Sequence, residues 1–216
     1  MAKYIFLDID GVLNSEHTLD QTSEHDASII SDQYLKNLKH IVEETDAKLV
    51  LSSSWRVYFN GDIKNPNNIF AMILLASLNK HNLKLHDMTP FIKGQFSNER
   101  GLEIKTYIDQ HNITDYVVID DEKFSDFKKH LDISKFVQTT FGDETTTIET
   151  EGLNKKVAKK AIEILNKGTH KMTLIERMDK LIKKLESNDP HFIEKFNKDF
   201  DEFEKKYDNE KGKQND

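Results

Sequence analysis

The sequence predicts an α/β protein built on a parallel sheet, and three observations predict it. Short apolar, β-prone runs recur at Tyr4 to Leu7 (YIFL), Ala47 to Leu51 (AKLVL) and Tyr116 to Ile119 (YVVI), and each reads as a fully buried strand. A helical stretch lies between the first run and the second, the strand–helix–strand order of a parallel unit. Each run stops at polar groups: Asp8 and Asp10, then Ser52 to Ser54, then Asp120 and Asp121. In a parallel sheet these ends fall on one carboxyl edge, where open α/β sheets bind ligands.

The elements follow in order. Tyr4 to Leu7 leads into Asp8, Asp10 and Gly11, the glycine allowing a sharp turn and a close approach to a ligand. Ser15 to Ser28 is polar and aperiodic, a loop or flap beside that strand end. Ser31 or Asp32 caps a helix carrying Leu35, Leu38, Ile41 and Val42 on one face. After the second strand, Val57 to Asn68 reads as a loop with Gly61 and Pro66, and Ile69 to Leu78 as a buried helix. A short strand is expected at Leu83 to His86, followed by a loop through Pro90 and Gly94. Ser97 or Asn98 caps a helix from Glu99 to His111 with Leu102, Ile104, Tyr107 and Ile108 facing inward. Phe136 and Val137 suggest a last strand, and Leu153 to Leu165 a closing amphipathic helix.

From Gly168 the composition changes. Leu174, Met178, Leu181 and Leu185 recur at helical spacing, as do Phe192, Phe196, Phe200, Phe203 and Tyr207 after the Asp189-Pro190 start signal. The expected organisation is therefore a domain over 1–167, a helical hairpin over 168–210 and a fraying tail over 211–216. Charges on the hairpin alternate in sign, as on solvated faces, and its apolar stripe packs on the domain or on itself.

Composition narrows the chemistry. With 31 basic and 38 acidic residues the formal charge is −7, which argues against a surface coated for nonspecific nucleic-acid or membrane binding. A local basic groove from Lys64, Lys80, Lys84 or Lys93 is compatible with that balance. No cysteine is present, so disulfides, thiolate metal sites and a cysteine nucleophile are excluded. The amino terminus runs straight into an acidic strand end, unlike a signal peptide, and no apolar run has the length of a membrane span. The expectation is a soluble, cytoplasmic protein.

Two carboxylates two residues apart at a buried strand end are costly to desolvate without a cation, and Mg²⁺ is the natural partner of hard oxygens. Calcium in an EF-hand is excluded: counting Asp8 as first, the positions that need Gly and Glu hold Leu13 and Leu19. An acidic pair, a hydroxyl donor and a cation are what phosphoryl transfer requires. Without Cys or a GxSxG serine, the nucleophile is expected to be a carboxylate that forms an aspartyl-phosphate.

The order FLDIDGVLN, LVLSSSWR, ERGLEI and YVVIDDE resembles the haloacid dehalogenase (HAD) superfamily of phosphohydrolases. It is closest to the HAD phosphatase domains of polynucleotide (RNA) repair proteins. The resemblance covers roughly Lys3 to Leu165 and implies a Rossmann-like sheet in strand order 3-2-1-4-5. It implies Asp8 as nucleophile and Asp10 as the acid that protonates the leaving group and then activates water. Mg²⁺ would be held by Asp8, the Asp10 carbonyl, and Asp120 or Asp121, one of the latter just outside the metal shell. Ser52, or Ser53 next to it, would donate to the phosphoryl group. The family's cation is usually Lys; here Arg100 is nearest, with Lys93 an alternative and Lys105 expected to point away. Trp55 is a core residue or a pocket wall where a base stacks, and Arg56 meets the substrate or braces an acid. His17, His25 and the other histidines show no ligand spacing and are expected on the surface.

The flap is at most a minimal cap, so a large substrate is expected to cover the site: a polynucleotide end, or alternatively a phosphoprotein such as a phosphotyrosyl one. A catalytically silent binding module would be expected to lack one of the acids, and all are present. The C-terminal helices are candidates for a protein partner or dimer contact.

Overall fold

The computed structural model describes residues 2–20, 30–64, 66, 68–92, 99–167 and 182. The chain divides into two units, Met1–Gly168 and Thr169–Asp216. The expected hairpin and tail fall, Ile182 excepted, outside the described residues.

The first unit contains strands β1 (Lys3–Leu7), β2 (Lys48–Leu51), β3 (Leu85–Met88), β4 (Asp115–Asp120) and β5 (Phe136–Gln138). Its helices are α1 (Glu16–Asp20), α2 (Asp32–Thr45), α3 (Ile69–Lys80), α4 (Arg100–Gln110), α5 (Phe127–His130) and α6 (Lys155–Asn166). The five strands form one all-parallel sheet in the order β3-β2-β1-β4-β5, the expected Rossmann-like order.

β1 is central because Ile5, Phe6 and Leu7 are apolar on both faces and wholly buried. Strand alternation sends Ile5 and Leu7 to one core with Leu35, Leu38 and Ile41 of α2 and Ala158, Ala161 and Leu165 of α6. Phe6 enters the opposite core with Ile104, Phe127 and the edges of Tyr107 and Tyr116, at 5.7 and 5.8 Å between ring centres. Each such side chain contributes about 1.5–3 kcal/mol on burial.

Local departures from expectation have identifiable causes. β3 begins two residues later than expected, because the Leu83 N–H closes α3 onto the Leu78 carbonyl (2.9 Å) past Asn82 at φ 58. The stretch expected to be loop from Val57 begins as a 3-10 turn, Ser54–Phe59, whose capping Ser53 hydroxyl accepts from the Trp55 N–H at 3.3 Å. Part of the expected flap is helical, as α1. Ser31 stands at the start of α2 without a side-chain bond, while Asp32 pairs with Lys36, Lys80 and His81 at 2.9, 2.9 and 2.7 Å. That pairing buries His81, which was expected on the surface, and ties up Lys80, one of the expected groove lysines.

α4 differs most. Ser97 and Asn98 lie outside the described residues. The carboxylate that satisfies its first turn comes from Asp126, which accepts from Gly101 N (3.1 Å) and Leu102 N (3.0 Å). Leu102 is only half-buried, whereas Glu103 is 1% exposed. A buried Glu survives there because Arg56 Nη2 meets its Oε2 at 2.8 Å. Lys105 points outward, as expected, into an ion pair with Asp109.

Candidate active site

Register builds the site. Leu7 pairs with Leu51 on one side and Ile119 on the other, so the next residues, Asp8, Ser52 and Asp120, form one row at the carboxyl edge. Backbone bonds fix the row: Asp8 N–H to the Ile119 carbonyl at 3.0 Å and Ser52 N–H to the Leu7 carbonyl at 2.8 Å.

Arg100, at the start of α4, reaches across this row. Its Nη1 lies 3.1 Å from Asp8 Oδ1 and 2.6 Å from Asp120 Oδ2, and its guanidinium covers the Phe124 ring at 4.5 Å. Burial alone would lower the Arg100 pKa, but the Asp8 and Asp120 charges outweigh it and hold the cation firmly charged. Arg100 thus stands between two of the strand-end carboxylates. Lys93 lies outside the described residues.

One carboxylate oxygen from each of Asp8, Asp120 and Asp121 lies within 4.8 Å of the others. Burial pushes the Asp8 carboxyl up, against the pull of Arg100 and a hydrogen bond from Ser53. Burial and the neighbouring Asp8 push Asp120 well up, and the same two causes bring Asp121 to about 6. Three hard oxygen donors that repel one another fit a small divalent cation, which would relieve what one guanidinium leaves uncompensated. Asp120 Oδ1 is also anchored, by the Glu122 N–H at 2.9 Å.

The raised values give a pH prediction for the metal-free protein. A folded carboxyl with an elevated pKa binds protons that the unfolded chain has released, so stability is gained as pH falls. The gain is complete below the ordinary carboxylate range and lost as pH rises through about 6, the Asp121 value. His86, whose pKa burial lowers, works in the opposite direction from an exposed position. Thermal melts without metal are expected to shift upward by a few degrees from pH 7.5 to 5. With Mg²⁺ the trend reverses, because ligands must be deprotonated; a metal-free melting temperature that falls between those pH values would contradict the cluster.

Gly11 sets the approach of the two acidic strand ends. Its φ is +66°, and an added Cβ would lie 2.5 Å from Asp121 Cβ. Gly11→Ala is expected to cost about 2–4 kcal/mol from left-handed backbone strain plus overpacking, with Asp121 displaced and Mg²⁺ affinity lowered. Titration calorimetry and denaturant melts check both halves.

Asp10 is held by two other donors. Its Oδ2 accepts from Trp55 Nε1 at 2.9 Å and its Oδ1 from Asn14 Nδ2 at 3.0 Å. Ser52 Oγ is buried without a hydrogen-bond partner, a hydroxyl left free for a ligand oxygen at the row of strand ends. The wholly buried Ser53 points its hydroxyl toward Asp8 instead.

The two remaining residues of the SSSWR stretch are not at the surface. Trp55 is 5% exposed and packs edge-on against Tyr58 and Phe70, so no face is open for a base to stack on. Arg56 braces an acid: beyond Glu103 it donates to the Ser53, Thr89 and Pro90 carbonyls at 2.7, 3.0 and 3.0 Å. Sequence reasoning missed Asn14, Asp126 and Glu103. Only Asn14 carried a signal, as an amide four residues past Asp10 in a tight turn.

The fold agrees with comparison to known families. Residues 4–145 match the family described as the HAD domain in Swiss Army Knife RNA repair proteins. The chain belongs to this family. No curated protein and no solved structure matches it. Membership supports a HAD-type phosphatase, and the matched span of this HAD domain contains every site residue described above. Among the described residues no helix is long and apolar enough to cross a membrane.

Proposed function

We propose that this HAD domain is a Mg²⁺-dependent phosphomonoester hydrolase that works through an aspartyl-phosphate on Asp8, with a terminal phosphate of a polynucleotide as substrate. The observation that carries the reading is Arg100 Nη1 held between Asp8 and Asp120 in the row of strand ends, with Asp121 completing the carboxylate cluster. The polynucleotide part rests on the family's association with RNA repair.

In this reading the Asp8 carboxylate attacks phosphorus as the bond to the leaving oxygen breaks and Asp10 supplies that oxygen with its proton. Asp10 then takes a proton from the water that opens the acyl-phosphate, returning Asp8 to its carboxylate. Arg100 and the unpartnered Ser52 hydroxyl compensate charge on the phosphoryl oxygens, and Ser53 orients Asp8. Asp8, the Asp10 carbonyl, Asp120 and Asp121 would hold Mg²⁺, which supplies the remaining neutralisation of substrate and carboxylates. We propose the phosphatase domain over 1–167, a helical extension that would offer a partner or dimer contact over 168–210, and a tail over 211–216.

Phosphate release from 5′- and 3′-phosphorylated oligonucleotides, phosphotyrosyl and phosphoseryl peptides and a small aryl phosphate, with Mg²⁺ and then with chelator, tests the reading. Magnesium-dependent turnover with the highest kcat/KM on an oligonucleotide end is expected. Preference for a peptide would replace the substrate assignment. No turnover on any member, with Mg²⁺ bound, would mark a binding module.

A further inference from the structure

Asp10 is gripped from two sides by residues for which the reaction has so far supplied no task. Trp55 Nε1 donates to Oδ2 at 2.9 Å, and Asn14 Nδ2 donates to Oδ1 at 3.0 Å. The orientation of Asn14 is itself determined: its Oδ1 accepts from the Gly11 N–H at 2.9 Å, which leaves only the amide nitrogen to face Asp10. A flipped amide would set oxygen against carboxylate and N–H against N–H. Asn14 is wholly buried, so it cannot swing into solvent.

Trp55 is equally fixed. Its backbone N–H is taken by the Ser53 hydroxyl, and its ring meets the edges of Tyr58 and Phe70 at 5.7 and 6.2 Å. The two donors come from different strand ends, Asn14 from the turn after β1 and Trp55 from the turn after β2. Neither can accept a proton from the carboxyl group, because each presents an N–H.

We infer that Trp55 and Asn14 are positioning residues for Asp10: together they fix its carboxyl rotamer and leave one acceptor position on each oxygen for the travelling proton. A carboxyl oxygen offers two such positions, and each donor occupies one. The inference rests on the proposed role of Asp10. In the step concerned, the Asp8 oxygen–phosphorus bond forms and the phosphorus–leaving-oxygen bond breaks. The Asp10 proton goes to the leaving oxygen, which departs as the neutral alcohol while Asp10 becomes a carboxylate. A general acid contributes about 10²–10⁴-fold when in place, and only where the leaving group needs its proton.

That dependence separates positioning from mere packing. Trp55→Phe keeps an aromatic ring in the cluster and removes the N–H; Asn14→Ser acts from the other side of the carboxyl. For both, kcat/KM is measured with Mg²⁺ over nitrophenyl, phenyl and alkyl phosphates, beside circular dichroism of each variant. The expected result is a loss that grows with leaving-group basicity, reaching about 10–100-fold for the alkyl phosphate in at least the variant that folds. An equal loss across the series, or none, in a folded variant overturns the inference while the phosphatase reading stands. A wild type that turns over no member of the series and releases no phosphate from 5′- or 3′-phosphorylated oligonucleotides overturns that reading and this inference with it.

Discussion

Asp8→Asn is expected to reduce phosphate release by about 10⁴-fold or more and, at the same time, to raise the melting temperature of the metal-free protein. The first effect follows from removing the nucleophile: an amide forms no acyl-phosphate. The second follows from the electrostatics of the site. Burial holds the Asp8 carboxyl above its usual range despite Arg100 and the Ser53 hydrogen bond, so its charged form is disfavoured in the folded state. An uncharged side chain of the same shape removes that cost and the repulsion toward Asp10, Asp120 and Asp121. The ordinary outcome of substituting a buried, hydrogen-bonded residue is destabilisation. A variant that is inactive but more stable is therefore a signature of a functional acid. Phosphate-release assays and metal-free thermal melts at neutral pH check the pair. Turnover that survives in Asp8→Asn removes the aspartyl-phosphate mechanism, and a lower metal-free melting temperature removes the electrostatic account.

The sheet and its acidic edge were legible in the sequence for one reason: they are written in contiguous residues. YIFL, AKLVL and YVVI each carry their strand and its chemical terminus within a few positions, and parallel pairing alone aligns Asp8, Ser52 and Asp120. What escaped was set by partners distant in the chain. Glu103 looks like a surface residue of α4 until Arg56 is found beside it. Asp126 looks like a loop residue until it is seen to accept from the first turn of α4. Trp55 had two readings, core or stacking wall, and its position satisfies the first while its indole N–H does something neither contained. Periodicity describes faces of elements; it carries no information on which polar group completes another across the fold.

Those distant partners converge on one side chain. Asp126 holds the start of α4, Glu103 in the same first turn ties it to Arg56 in the turn after β2, and Phe124 lies under the guanidinium of Arg100. Arg100→Ala is expected to destabilise the metal-free protein by about 3–5 kcal/mol, because Asp8 and Asp120 are left buried without a counter-charge. It should also lower kcat/KM by about 10³-fold, the scale of losing a preorganised charge at the phosphoryl oxygens. Mg²⁺ should then raise the melting temperature of Arg100→Ala more than that of the wild type, since the cation takes over neutralisation that Arg100 supplies. Arg100→Lys discriminates charge from shape. A single nitrogen, Nη1, meets both carboxylates, so one ammonium can in principle stand in its place. The Lys variant should keep activity within about tenfold of wild type while losing the cover over Phe124. An Arg100→Ala protein as active and as stable as wild type would remove Arg100 from the site and return the cationic role to Lys93.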